Sequence, residues 1–316
     1  MELQYNAEIG RELGWDLARY GWIPRDDAND DVIDGHKAGV AHFVRAQRVP
    51  DRFERKWLQL RQNALRRGRV VQPEVTPAFI RLIDHPICPV TLVPMTHALR
   101  ADTDWSIDRV NNDGAYAEGN LVVISTLANK AKADRSFEGV VQTASELGDH
   151  ETVEGLNSRQ WGRLASIMVG ACASPADELA MSFPLLTRVP KGSVAPEFQI
   201  LQSLVYRVTH KASIRSQFVK RFKRVQPDKS KALLLQVAAD RLSSLVKSVD
   251  YLFDASLDAG FMSLLLKWHR AIPDAKRDDY LRLLRRIDNA EELGIGMQSK
   301  WSLDTKGYFA DAHTKE

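Results

Sequence analysis

Most of this chain repeats apolar residues at helical spacing, and one stretch, residues 86–125, breaks that pattern. There Pro, Thr, Asp, Asn and Gly separate the short β-type runs ICPVTLVP, WSIDRV and NLVVIS, with turn residues such as Asn112-Asp113-Gly114 between them. The expected fold is therefore mainly α, with a small α+β module embedded in it.

Caps and apolar stripes place the helices. Ile9, Leu13, Leu17 and Tyr20 recur on one face of a first helix, and residues 32–47 read as a second. A third spans 51–67, with Asp51 as its cap and Phe53, Trp57, Leu60 and Ala64 on one side. A short helix follows Thr76-Pro77, since proline suits a first helical turn. Ser125 caps a helix through Leu127, Ala128 and Ala131, so 86–135 reads as hairpin, strand, loop, strand, helix. Further on, Trp161, Leu164, Met168 and Ala171 form one apolar stripe, and Phe198, Leu201, Val205 and Val208 form another. Pro227 and Pro273 break the helices that follow. The expected segments are a helical region 1–80, the module 81–135, a helical extension 136–175 and a helical domain 196–316. Pro175, Pro184, Pro190 and Gly192 mark 175–195 as the linker.

With 316 residues, 44% hydrophobic and 27% charged, the chain can bury one large or two ordinary cores, and disorder is excluded. Two cysteines, Cys88 and Cys172, are too few for a disulfide framework or a four-cysteine zinc site, so no structural zinc is expected. That usage fits a reducing compartment. MELQYNAEIG lacks a signal-peptide core, and no apolar run approaches the ~20 residues that span a bilayer. A cytoplasmic protein with no membrane partner is expected.

The net charge of +3 hides local excesses. Residues 1–35 are acidic. Residues 45–69 carry Arg45, Arg48, Arg52, Arg55, Lys56, Arg61, Arg66, Arg67 and Arg69 against Asp51 and Glu54. Residues 198–227 carry Arg207, Lys211, Arg215, Lys220, Arg221, Lys223 and Arg224 with no acid. Such runs are either solvated helix faces or tracks for a phosphate backbone. Arg66, Arg67, Lys220, Arg221, Lys223 and Arg224 are the candidate nucleic-acid contacts, with DNA the expected partner. The helical C-terminal region is a candidate platform for a protein partner.

Chemistry concentrates in WSIDRVNNDGAYAEGNLVVISTLANKAKAD, residues 105–134. Asp108 closes a strand, Asn120 opens the next and Asn129 lies early on the helix. A carboxylate and an amide oxygen converging from strand and helix suit Mg²⁺ or Mn²⁺. The same residues also suit a loop in which Asp and Asn satisfy backbone groups through Asx-turns.

The stretch resembles the HNH, or ββα-metal, nuclease family, in the branch common among phage and mobile-element proteins. The matching pieces are Ile107-Asp108-Arg109-Val110, Gly114-Ala115-Tyr116, Gly119-Asn120-Leu121-Val122 and Ala128-Asn129-Lys130-Ala131-Lys132, with Cys88-Pro89-Val90-Thr91-Leu92 similar to the family's opening hairpin. The likeness covers about 50 residues, 86–134. It implies a metal-dependent nuclease hydrolysing DNA phosphodiesters, with Asp108 and Asn129 as metal ligands, Asn120 bracing the loop and Lys132 near a phosphate. The wider family's general base, a His directly after the metal-binding Asp, is replaced by Arg109. A guanidinium cannot take a proton from water, though it can hold phosphate and stabilise developing charge. His85 and His97 are the nearest other bases. Arg109 thus keeps open a nucleic-acid-binding protein that has lost cleavage, and the helical C-terminal half keeps open a protein–protein adaptor.

Overall fold

The computed structural model describes residues 2–43, 49–172, 178–226, 228–288 and 301–309. Arg45, Arg48, Pro175, Pro227 and the chain between 289 and 300 lie outside them. The protein is mainly helical, and among the described residues strands form two small pairs. No described helix is long and apolar enough to cross a membrane.

The described residues form two compact units that cut across the expected segments. One gathers residues from 1–84, 111–121 and 295–316, and the other from 85–110 and 122–294.

The first unit opens with α1 (Glu2–Arg19), α2 (Asp30–His42), α3 (Arg52–Arg66) and α4 (Pro77–Ile83). Local signals set their ends. Asn29 caps α2, Asp51 and Glu54 close a reciprocal capping box on α3, and Thr76 caps α4 ahead of Pro77. Leu13, Leu17, Val32 and Leu58 form the core between α1, α2 and α3. Helices α1 and α2 meet backbone to backbone, since a Cβ on Gly35 would sit 2.1 Å from the Arg11 carbonyl oxygen. In the same unit Trp301 is fully buried and donates to the Glu118 carbonyl at 2.7 Å.

The second unit holds β1 (Trp105–Arg109), which pairs with β2 (Leu121–Ser125), then α5 (Thr126–Lys132) and α6 (Phe137–Glu146). A two-residue pair follows, β3 (Thr152–Val153) antiparallel to β4 (Leu156–Asn157), and leads into α7 (Ser158–Cys172). After α8 (Glu178–Ser182) come α9 (Glu197–Arg207), α10 (Ala212–Phe222), α11 (Lys229–Leu245), α12 (Ala259–Arg270) and α13 (Arg277–Asp288). Phe198, Leu201, Val205, Phe222, Leu242, Phe261, Trp268 and Tyr280 sit in their common core.

The stretch expected as a linker is packed instead. Phe183, Leu185, Leu186, Thr187, Val194 and Ala195 are all buried. Gln202 accepts from the Leu185 N–H at 2.8 Å and donates to the Phe183 carbonyl at 2.9 Å. Ser166 accepts from the Leu186 N–H at 3.1 Å. Pro184 and Pro190 lie in a helix-free stretch, and buried polar side chains of α7 and α9 satisfy the backbone that water would otherwise serve.

His269 is buried beside Trp268, its Nδ1 2.9 Å from the Tyr280 hydroxyl. Burial and then the nearby Arg277 charge push its pKa down to about 3. A histidine whose folded pKa lies below its unfolded value near 6.5 favours the fold above that value. The contribution is lost as pH falls from about 6.5 toward 3. Urea titrations at pH 7, 6, 5 and 4 should therefore show a steeper loss of stability in the wild type than in His269→Gln. Parallel curves would contradict a neutral buried histidine.

Candidate functional site

The site begins with how α5 is seated on the start of β1. The first N–H groups of a helix have no internal partner. Here Thr126 N–H donates to the Asp104 carbonyl at 2.7 Å, Leu127 N–H to the Asp102 carbonyl at 2.9 Å, and Ala128 N–H to the Ser125 hydroxyl. The Asp104 carboxylate in turn accepts from the Thr96 hydroxyl and from the N–H groups of Leu99 and Arg100. Those bonds, the one from Thr96 first, hold its pKa below the usual carboxylate range. They also pin a loop in which Ala98 and Arg100 take left-handed backbone conformations.

Cys88 ties the opening turn to the same helix. Its Sγ accepts from the N–H of Thr91 at 3.5 Å and of Ser125 at 3.2 Å, and lies 3.4 Å from the Ser125 hydroxyl. The turn itself closes through Cys88 N–H to the Val93 carbonyl and Leu92 N–H back to the Cys88 carbonyl.

Strand alternation puts Ser106 and Asp108 on one face of β1, and helical spacing puts Asn129 and Lys132 on one face of α5. These two faces meet. Asn129 Nδ2 donates to Ser106 Oγ at 2.6 Å. Lys132 Nζ lies 3.1 Å from Asp108 Oδ2 and donates to the Arg109 carbonyl at 2.8 Å. Lys132 is fully buried and Asp108 is 8% exposed. Burial pushes the Asp108 carboxyl above the usual range, against the opposing pull of Lys132 and then Arg109.

Lys132 therefore does not stand at the surface, where a phosphate contact would need it. It is the internal counter-charge of the residue expected to bind metal. The face also fits a divalent cation poorly. Its carboxylate, Asp108, is already matched by the Lys132 ammonium. Among the described residues no group of three or more His, Cys, Asp or Glu could hold a metal ion.

Asn120 belongs to the first unit. Fully buried, it accepts from Asn111 N–H at 2.7 Å and donates to the carbonyls of Asn111 at 3.0 Å and Ala115 at 2.9 Å. Gly114 leaves the room this needs, since a Cβ there would lie 2.6 Å from Asn120 Nδ2.

Both candidate bases lie in the second unit. His97 is exposed and packs edge-on against Trp105, with ring centroids 5.2 Å apart. Trp105 lies on the face of β1 opposite Asp108 by alternation. His85 is half-buried.

The two basic runs fare differently. In the first unit Arg61 pairs with Asp16 at 2.5 Å and lies 3.9 Å from Glu12, Arg52 pairs with Asp84, and Arg66 lies 3.7 Å from Asp27. Arg69 covers the Tyr308 ring. Arg67 is exposed. In the second unit Lys220, Arg221, Lys223 and Arg224 are all exposed at the end of α10 and in the turn after it, and Lys229 and Lys231 are exposed at the start of α11. Asp228 is the acid between them, and it is spent on capping α11 through Ser230 and Lys231.

Sequence reasoning missed the roles of Ser106 and Asp104. The signal for Ser106 was its position two residues before Asp108, which alternation places on the same face.

No family model matches the chain, and no curated protein and no solved structure matches it either.

Removing the Asn120 side chain strands three backbone partners. Asn120→Ala should cost about 1–3 kcal/mol of stability. Asn120→Asp should cost at least as much, because an acid loses both donors while facing two carbonyl oxygens. Equal urea midpoints for wild type and both variants would remove the bracing role.

Proposed function

We propose that this protein binds nucleic acid, and that its HNH-like strand–strand–helix unit is a scaffold for binding rather than a metal-dependent cleavage site. The observation that carries the proposal is the exposed cluster of Lys220, Arg221, Lys223 and Arg224. In the first run Arg52, Arg61 and Arg66 are matched by acids, while Arg55 and Arg67 are exposed. In the second run Arg215 pairs with Asp240 at 2.8 Å, whereas Lys220, Arg221, Lys223 and Arg224 gather at the exposed end of α10, and the nearest acid in sequence, Asp228, is committed to a helix cap. Like charges held together in this way repel one another, and a polyanion relieves that repulsion while releasing its own counterions. Arg109, which cannot act as a base, and Lys132, which fills the place beside Asp108, both favour binding over cleavage.

A second reading, metal-dependent hydrolysis of DNA through Asp108 and Asn129, is favoured by the brace that Asn120 makes and by the shared face of β1 and α5. It requires Lys132 to leave Asp108. Incubating plasmid with Mg²⁺, Mn²⁺ or EDTA separates the two. The expected result is no nicking under any condition, and metal-dependent nicking that Asp108→Ala abolishes would establish the second reading.

Binding itself is tested by replacing Lys220, Arg221, Lys223 and Arg224 together with Ala. Affinity for duplex DNA should fall, and the slope of log K against log salt should flatten by about 0.9 for each phosphate the variant no longer neutralises. An unchanged slope would return the cluster to a solvated face.

A further inference from the structure

We infer that the Lys132 ammonium occupies the cation place of the β1–α5 face, so that the chain itself closes this face to metal, and that removing the ammonium opens a site for a divalent cation. The proposal takes the identity of that place from the HNH-like reading above.

Three features carry it. First, Nζ is held by Asp108 Oδ2 at 3.1 Å and the Arg109 carbonyl oxygen at 2.8 Å, hard oxygens of the kind Mg²⁺ or Mn²⁺ takes. Second, Asn129 is fixed one turn earlier on the same helix face. Its Nδ2 is committed to Ser106, so the amide is oriented with its oxygen as the remaining donor. Third, Lys132 is among the largest fully buried side chains of the protein. An ammonium buried this deeply must stay paired, and it cannot swing to solvent without leaving a lone carboxylate in an enclosed space.

The charge balance follows from these contacts. Asp108 and Lys132 form a charge-matched pair, so a dication entering the native face would have to displace the ammonium. Truncating Lys132 reverses this. It leaves one carboxylate and one backbone carbonyl around a space that had held an ammonium and its stem, with the Asn129 amide one turn earlier on the same helix face. Waters can complete the coordination, and a dication then relieves the isolated buried charge.

The test uses the full chain and Mn²⁺ as probe, with binding followed by electron paramagnetic resonance. Wild type and Asp108→Asn should bind Mn²⁺ equally weakly. Lys132→Ala should gain a site at least tenfold tighter than any in the wild type, and Lys132→Ala/Asp108→Asn should lose it. If Lys132→Ala is unfolded without metal, Mn²⁺ should restore its circular dichroism, and only while Asp108 is present. Binding by the wild type that depends on Asp108 would overturn the proposal. So would a folded Lys132→Ala with no new site, or an unfolded one that Mn²⁺ does not rescue. DNA affinity of the same samples is measured separately. Failure of nucleic-acid binding therefore leaves the Mn²⁺ result standing, and failure of the Mn²⁺ result leaves the binding reading to its own test.

Discussion

A buried ammonium set against a buried carboxylate is the constraint on which the small module depends. Lys132 and Asp108 are each expensive to bury alone, and each makes the other tolerable. Because Nζ also holds the Arg109 carbonyl, the end of α5 is fixed to the end of β1. The start of α5 is fixed separately, by the carbonyls of Asp102 and Asp104 and by the Cys88–Ser125 contacts. A seven-residue helix has little stability of its own. Here it is held at both ends by polar contacts that leave few of its backbone groups unsatisfied.

The same pair shapes the functional proposal. A strand, a second strand and a short helix bring Asp108 and Asn129 to a shared face, as a metal-binding unit would require, yet that face already contains its cation. The positive charge available to a partner lies elsewhere in the same unit, on the turn between α10 and α11. The proposed binding cluster and the β1–α5 face are therefore separate in this chain, and each can be altered without touching the residues of the other.

Much of the architecture was legible because its signals are local. Asp51, Thr76 and Ser125 cap the helices that their positions announce, and the apolar stripe of Trp161, Leu164, Met168 and Ala171 is buried throughout. What was not legible depends on distant partners. A lysine on a short helix reads as a solvent-facing charge, and only the packing of β1 onto α5 makes it an internal one. The arginines of 52–66 read as a free basic face until Asp16, Asp27 and Asp84 are brought beside them. The prolines of 184–190 read as a linker, but Gln202 and Ser166 bind that backbone into the core. In the site, Asn120 carries its bracing role in its own sequence neighbourhood, only five to nine residues from its partners, whereas the fate of Lys132 depends on a residue 24 positions away.

The most direct test of this account is a double-mutant cycle on the pair, with Asp108→Asn, Lys132→Met and the double variant followed by urea denaturation. If the two charges hold each other in the interior, each single change should cost about 3–5 kcal/mol, because it leaves its partner buried alone. The double variant should then cost much less than the sum. Single costs below about 1 kcal/mol that simply add would mean that the pair is not the internal support described here.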